Sequence, residues 1–510
     1  MEEYTISELQ SKMESGELTA RRLAELYLER IDSLDKNGPK VNSVIETNPD
    51  TLEIASSLDE ERAAGKTRGA LHGIPILIKD NIETHDRMQT TAGSLALEGN
   101  IAARDAFIVE RLRKAGALIL GKTNLSEWAN FRGKNSVSGW SSRGGLTRNP
   151  YALDRSACGS SSGSGAAVAA NFCAAAIGTE TDGSIICPAQ TNGIVGIKPT
   201  LGLWSRSGII PIAHSQDTPG PMTRTVEDAA ILLGALIGVD TRDRATRLAL
   251  SRVEGLSKKQ GLKNYTRFLD KNGLKGARIG VARSLFGSDK RVLAVMESSL
   301  DGMKGSGAVL IDVEMKSSDA FGKTELEVLL FEFKADLNAY LGGLEPNIKA
   351  RTMADVIKFN EENKSRVLTY FGQERMEGAQ KKASLKSSKY KAALEKNHRL
   401  SRTEGINAVM RKHKLDAIVC PSGGPSWMID LVNGDGGRNW DMDSTSYAAV
   451  AGYPHITVPA GYIWGLPIGI SFFAKAWQEP TLIKLAYAFE HATKVRKPPQ
   501  FLSTTNLSSF

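Results

Sequence analysis

Four cysteines in 510 residues, with no CxxC pair and no Cys/His ligand spacing, argue against a structural zinc site. Of Cys158, Cys173, Cys187 and Cys420, three sit in Ala/Gly-rich or Ile-rich settings, which reads as small buried side chains rather than a disulfide framework. Histidine is also scarce: there are seven, and none stands in a setting that singles it out as a base. His72 and His455 lie beside apolar runs and read as satisfied core or surface groups, so a Ser-His-Asp triad lacks its sequence context. No apolar run approaches the roughly 20 residues of a membrane-spanning helix. The amino terminus, MEEYTISELQ, has no basic segment followed by an apolar one. It reads as cytoplasmic, or as secreted if a signal peptide has already been removed. The triplets at Asn124, Asn264, Asn363 and Asn506 would matter as glycosylation sites only in the second case. No period of 20–50 residues repeats.

What is present is the composition of an ordinary globular protein, 41% hydrophobic and 24% charged, long enough for a sizeable core. The net charge is +8, and Lys and Arg gather between residues 381 and 414. Clustered cations are the footprint of phosphate binding, but no aromatic residues interleave with them as a stacking platform requires. The cluster reads as a solvated helical face, with no nucleic acid and no membrane as partner.

The first seventy residues read as helices. Thr5-x-x-Glu8 forms a capping box and LTARRLAELYLERIDSL carries apolar residues at helical spacing. Gly73–Lys79 then reads as a buried strand, Asp105–Ala115 as a helix, Ala117–Leu120 as a strand and Ala166–Ala176 as a small-residue helix. Gly193–Lys198 and Thr225–Ile237 continue the alternation, the latter with a Thr-x-x-Asp cap. Residues 239–275 are polar and turn-rich, 323–413 almost wholly helical. Strand signals return at Leu415–Cys420 and His455–Pro459 before a closing helix at Leu482–Ala492. The pattern predicts an α/β fold, a large mixed β-sheet covered by helices on both faces. We expect one domain over 1–510: helices at 1–70, a core at 71–238, a helical insertion or cap at 323–413 and a return to the core at 415–496.

Three segments carry candidate chemistry. Ser156-Ala-Cys-Gly-Ser-Ser-Ser-Gly-Ser-Gly165 could be a linker, but it runs directly into an apolar helix instead of polar flanks. A Gly/Ser loop pinned against a buried helix brings backbone N–H groups and small hydroxyls close to a ligand. No GKS or GKT follows it, so it is not a Walker phosphate loop. In Gly178-Thr-Glu-Thr-Asp-Gly-Ser184, a turn of Thr, Asp and Gly can aim successive amides at one point, as an oxyanion hole requires, with Ser184 beside it. Lys79, ending the run Ile-Pro-Ile-Leu-Ile, either snorkels to solvent or is buried. If buried, its pKa falls from about 10.4 and the neutral amine becomes accessible as a base for a serine nucleophile.

With LHGIPILIKDNI, CGSSSGSG and GTETDGSI in that order, the two serines Ser160 and Ser184 being 24 positions apart, the chain resembles the amidase signature family. GIVGIKPTLG, SGIIPIAHSQDTPGPMTRTVEDAA, AGYPHITVPAGY and GLPIGISFFA extend the resemblance over almost the whole length. It implies a Ser–cis-Ser–Lys triad: Ser184 as nucleophile, Ser160 after a cis Gly159–Ser160 bond as proton shuttle, and Lys79 as base. It also implies an oxyanion hole from the amides of Thr181, Asp182, Gly183 and Ser184, no metal and no cofactor. Asn130-Phe-Arg-Gly133 falls where the family's substrate-contacting loop lies, which makes Arg132 and Gly133 candidate substrate-binding residues. The family's usual G-T-D-x-G-G-S is here Gly-Thr-Glu180-Thr-Asp182-Gly-Ser, and its GGSSGGS begins with Cys158. Glu180 lengthens a carboxylate, and Asp182 takes the place of a glycine, where a positive φ is expected that Asp tolerates better than most residues. Both variants resemble the branch of bacterial peptide amidases and their plant and fungal relatives. The expected substrate is a peptide or small-molecule amide, cleaved to acid and ammonia by a monomer or homodimer. Two alternatives are the glutaminase component of a glutamyl-tRNA amidotransferase and a fatty acid amide hydrolase.

Overall fold

The computed structural model describes residues 2–248, 264–316, 318–437 and 444–507. Of the polar stretch at 239–275, residues 249–263 lie outside the described residues. The strands are β1 (Val44–Thr47), β2 (Pro75–Lys79), β3 (Leu118–Thr123), β4 (Trp140–Ser141), β5 (Gly145–Leu146), β6 (Arg148–Asn149), β7 (Ala152–Ser156) and β8 (Ala175–Glu180). They continue as β9 (Val195–Lys198), β10 (Thr218–Thr223), β11 (Arg278–Val281), β12 (Val309–Asp312), β13 (Ala417–Pro421), β14 (His455–Ile463) and β15 (Leu466–Phe473). Eleven of them form one sheet in the order β1-β3-β2-β8-β10-β9-β14-β15-β13-β11-β12; β4 with β5 and β6 with β7 make two small ribbons.

The sheet is mixed: β2 runs parallel to β3 and β8, and β11 parallel to β12 and β13, whereas β8–β10–β9–β14–β15–β13 pair antiparallel. Its central strands, such as β2 and β8, are buried at every position, which is why β2 reads as an apolar run with no alternation. The carboxy-terminal strands β13–β15 join the same sheet as β2, β3 and β8.

Three local readings are corrected. The predicted helix at Ala166–Ala176 ends at Ala169; Asn171 turns left-handed at φ 57°, and Ala175–Glu180 becomes a central strand. Alanine favours helix by itself, but a strand that must lie flat between two neighbours and under a helix is also well served by small side chains. In the same way Ser162–Gly165, expected in a loop, is the first turn of the helix Ser162–Ala169. There Gly163 packs so tightly that a Cβ would lie 2.2 Å from the Ser43 carbonyl oxygen. The edge strand β1 lies inside the segment read as helical.

The helical block contributes no strand to the sheet. Its helices Asp319–Gly342, Met353–Glu362, Glu374–Gln380 and Ser388–His398 build a second core from Leu329, Phe333, Leu337, Met353, Val356 and Met376. The basic segment packs through Tyr390 and Ala393 on Val328 and Phe331, while Lys382 and Lys389 meet Glu327 at 2.7 and 2.9 Å. It is a helical face, as read. Among the described residues no helix is long and apolar enough to cross a membrane.

Candidate active site

Lys79, the last residue of β2, is completely buried. Its Nζ lies 2.8 Å from Ser160 Oγ, 3.0 Å from Ser161 Oγ, and 2.9 and 3.2 Å from the hydroxyl and carbonyl oxygens of Thr179. No carboxylate pairs with it within ion-pair distance among the described residues. Burial therefore lowers its pKa to about 7, against the more remote pull of Asp217 and Glu180. The snorkelling alternative is excluded, because the β2 terminus is covered by the loop that carries Ser160.

That loop precedes the helix Ser162–Ala169, and its Gly159–Ser160 peptide is cis. Ser161 joins it to the other half of the site: its N–H donates to Ser184 O at 3.2 Å and its hydroxyl to Thr179 O at 3.0 Å. Gly159 and Ser184 line one cleft of about 480 Å³. Lys79 and Ser160 are thus in direct contact. Among the described residues the hydroxyl of Ser184 forms no hydrogen bond with that of Ser160; apo sites are often looser at such links than substrate complexes.

The turn Thr181–Ser184 follows from Glu180. Its carboxylate accepts from the amides of Ile185 and Ile186 at 2.7 and 3.0 Å, which folds the chain back at the start of the helix Ile186–Thr191. The amides of Thr181, Asp182, Gly183 and Ser184 make no bond to a backbone acceptor among the described residues. They remain available to an oxyanion. The left-handed residue of the turn is Gly183, at φ 79°, and Asp182 carries no positive φ; the reading that Asp182 occupies such a position is corrected. Asp182 instead turns its buried carboxyl to Ser446 Oγ at 2.6 Å, and burial raises its pKa.

Asp217, which lies in the run SGIIPIAHSQDTPGPMTRTVEDAA but carries no assigned role there, braces this turn from behind. It accepts from Thr181 Oγ1 at 2.6 Å and from the amides of Ile212 and Ala213, both at 2.8 Å. Burial pushes its pKa up to about 6. Ser161, Thr179 and Asp217 are all polar side chains in otherwise apolar or turn-like stretches, the one local signal that could have found them.

Arg132 and Gly133 are not in the cleft wall, and their assignment to substrate contact is corrected. Ala129, Asn130 and Phe131 of the same loop do line the cleft. Arg132 is fully buried behind it, paired with Glu127 at 2.6 Å, bonded to Val367 O and Phe371 O, and stacked 3.9 Å over Phe371. At Gly133 a Cβ would lie 2.4 Å from Gly372 O. Both residues fasten the helical block to the core. The wall of the cleft that this block supplies is the stripe Asp319, Gly322, Glu325, Leu326 and Leu329, together with Arg375.

The cysteine reading is also corrected. Cys158 and Cys187 form a disulfide, with Cα atoms 6.0 Å apart, that ties the loop before Ser160 to the helix after Ser184. Cys173 and Cys420 are buried, as expected, and take no part in a disulfide. His72 and His455 are core groups: their Nε2 atoms lie 2.9 Å from Leu58 O and 2.6 Å from Ser471 Oγ. Among the described residues one cluster of metal-ligand type does arise, from positions too far apart to be read in sequence. His214, Glu332 and Asp336 bring a ligand atom each to within 4.8 Å of one another. The His214 Nδ1 to Asp336 distance of 2.8 Å and the 3.4 Å to Glu332 fit an ion-pair latch between core and helical block equally well.

Known proteins resemble the chain over nearly its whole length. The family pattern described as Amidase matches residues 22–483. A protein of Arabidopsis thaliana described as a probable amidase is 42% identical over 99% of this chain and 92% of its own length. The crystal structure of a peptide amidase in complex with the competitive inhibitor chymostatin superposes with a TM-score of 0.92 at 48% identity, covering 98% of this chain and 99% of that one. The native peptide amidase of Stenotrophomonas maltophilia gives 0.91 at 47%, with the same coverage. A component of the glutamyl-tRNA(Gln) amidotransferase of Thermoanaerobacter pseudethanolicus is 34% identical over 97% of this chain and 98% of its own.

Proposed function

The chain belongs to the amidase family and is an amide-hydrolysing enzyme, and from that premise we propose that it cleaves the terminal carboxamide of peptides or N-acyl amino acid amides through an acyl-enzyme on Ser184. The observation that carries the mechanism is the buried, carboxylate-free Lys79 touching Ser160, whose neighbour Gly159 lines the same cleft as Ser184. Neutral Lys79 takes the proton of Ser160 as Ser160 takes that of Ser184, whose Oγ then bonds to the amide carbon. The oxyanion of the tetrahedral intermediate is held by the free amides of Thr181–Ser184. Collapse returns the proton through Ser160 to the nitrogen, the C–N bond breaks and ammonia leaves. Water, deprotonated along the same path, hydrolyses the ester to the acid and restores Ser184.

The substrate class is supported by the shape of the cleft. A primary amide needs little room on its leaving side, and a volume of about 480 Å³ walled by the helix Asp319–Gly342 can seat an acyl chain of peptide size. Similarity at 48% identity to a peptide amidase points the same way. The Cys158–Cys187 bridge favours an oxidising compartment over the cytoplasm. The test is ammonia release from an N-blocked dipeptide amide, glutamine and a fatty acid amide at equal concentration. We expect the dipeptide amide to lead. A preference of tenfold or more for the fatty acid amide, about 1.4 kcal/mol in transition-state stabilisation, makes the cleft a lipid channel; preference for glutamine points to the amidotransferase reading.

A further inference from the structure

Among the described residues Arg375 is the one arginine that lines the cleft, and it enters from the helical block, opposite the turn that holds Ser184. It stands at the start of the helix Glu374–Gln380. Its placement is firm: its amide donates to Arg132 O at 3.1 Å, its Nε to Gly133 O at 3.2 Å, and its guanidinium lies 5.0 Å over the Phe131 ring. It forms no ion pair among the described residues. Glu325 and Glu374 act on it only at longer range, Glu325 accepting from Gln216 Nε2 at 3.0 Å and Glu374 from the Lys134 amide at 3.0 Å. With Nε used to fix its aim, the two terminal nitrogens have no acceptor among the described residues, and they belong to a planar fork that matches carbonyl and carboxylate oxygens.

We propose that Arg375 is an acyl-side specificity residue, whose terminal nitrogens hydrogen-bond the backbone carbonyl oxygens of the peptide chain on the acyl side of the scissile carboxamide. This rests on the reading of the protein as a peptide amidase. A neutral carbonyl acceptor suits the site better than a carboxylate, because Asp319, Glu325 and Asp182 line the same cleft and repel a second anion. Phe131, Leu326 and Leu329 supply apolar surface for side chains between those carbonyls. A short aliphatic amide has no second carbonyl to offer Arg375, so the residue acts on the preference among amides more than on the chemistry at Ser184.

The experiment compares an acetylated dipeptide amide with propionamide in the wild type, R375M and R375K. In the wild type the dipeptide amide is preferred. In R375M we expect that preference, as a ratio of kcat/KM values, to shrink by tenfold or more, with the loss mainly in KM, and R375K to restore part of it. Should R375M fail to fold, R375K decides alone, by a ratio below that of the wild type. Equal losses on both substrates mean that Arg375 merely props the wall, and an unchanged ratio means that it touches no substrate; either overturns the inference while leaving the substrate reading intact. A wild type without preference for the dipeptide amide removes that reading and the inference with it.

Discussion

Lys79 has hydroxyl and carbonyl partners but no anion at contact distance, and that decides how it titrates. Taking an ammonium out of water costs several kcal/mol unless a counter-charge repays it, so the fold favours the neutral amine and the pKa drops to about 7. Only that neutral form accepts a proton. The acid limb of kcat/KM should therefore rise with pH through about 7 and level off into mild alkali; full activity at pH 4–5 would rule out a lysine base. Ser184→Ala should reduce amide hydrolysis to background with the melting temperature nearly unchanged, since Ser184 lies at a cleft surface and not in the apolar core. Lys79→Ala should cost almost as much. Ser160→Ala should lose on the order of 10²–10⁴-fold yet keep a measurable rate, because a water can stand in for the hydroxyl between Lys79 and Ser184. Steady-state kinetics on the three variants separates these roles, and wild-type turnover in Ser184→Ala would sink the mechanism.

At the scale of elements, the site is a junction of three pieces: the end of β2, the loop before the helix Ser162–Ala169, and the turn after β8. Ser161 bonds the second to the third, and the Cys158–Cys187 bridge joins them covalently across 29 positions. A loop of that length restricts the unfolded chain by about 3–4 kcal/mol in the chain-entropy account. Cys158→Ser and Cys187→Ser should accordingly lower the melting temperature, and reductant should lower that of the wild type toward theirs but leave theirs where it is. Thiol titration of the denatured, unreduced protein should find two thiols, those of Cys173 and Cys420. Four would show that the bridge does not form. The helical block is the other element of consequence. It is clamped by Arg132 beneath Phe371 and by His214 against Asp336, and its long helix presents to the cleft a stripe of residues three to four apart, the spacing of one helical face.

For the molecule as a whole, the latch of His214, Glu332 and Asp336 bears on metal dependence. Burial disfavours the His214 cation, but the Asp336 hydrogen bond and the Glu332 charge outweigh it and raise its pKa, as befits an ion pair. We expect EDTA to leave activity unchanged, since polarisation of the carbonyl falls to the turn amides; loss that zinc or magnesium restores would assign the cluster to a metal. Much of this protein is legible in its sequence. The order of strands and helices, the buried run ending in Lys79, the Gly/Ser segment and the Thr-Glu-Thr-Asp-Gly-Ser turn are local patterns, and local periodicity and turn chemistry report on backbone conformation directly. The strand at Ala175–Glu180 escapes such a reading because small residues satisfy a helix and a crowded central strand equally, so neighbours decide. Arg375, the disulfide and the exclusion of Arg132 from the cleft lie beyond reach for a stronger reason. Whether an arginine faces a cavity or a buried carbonyl, and whether two cysteines come within 6.0 Å, depends on chain segments far apart in sequence being packed together. The sequence alone thus determined the candidate reacting groups and the α/β framework, which are encoded in short contiguous runs. Tertiary structure alone decided which charges are buried without partners and which side chains wall the cleft, because burial and long-range contact are properties of the packed chain.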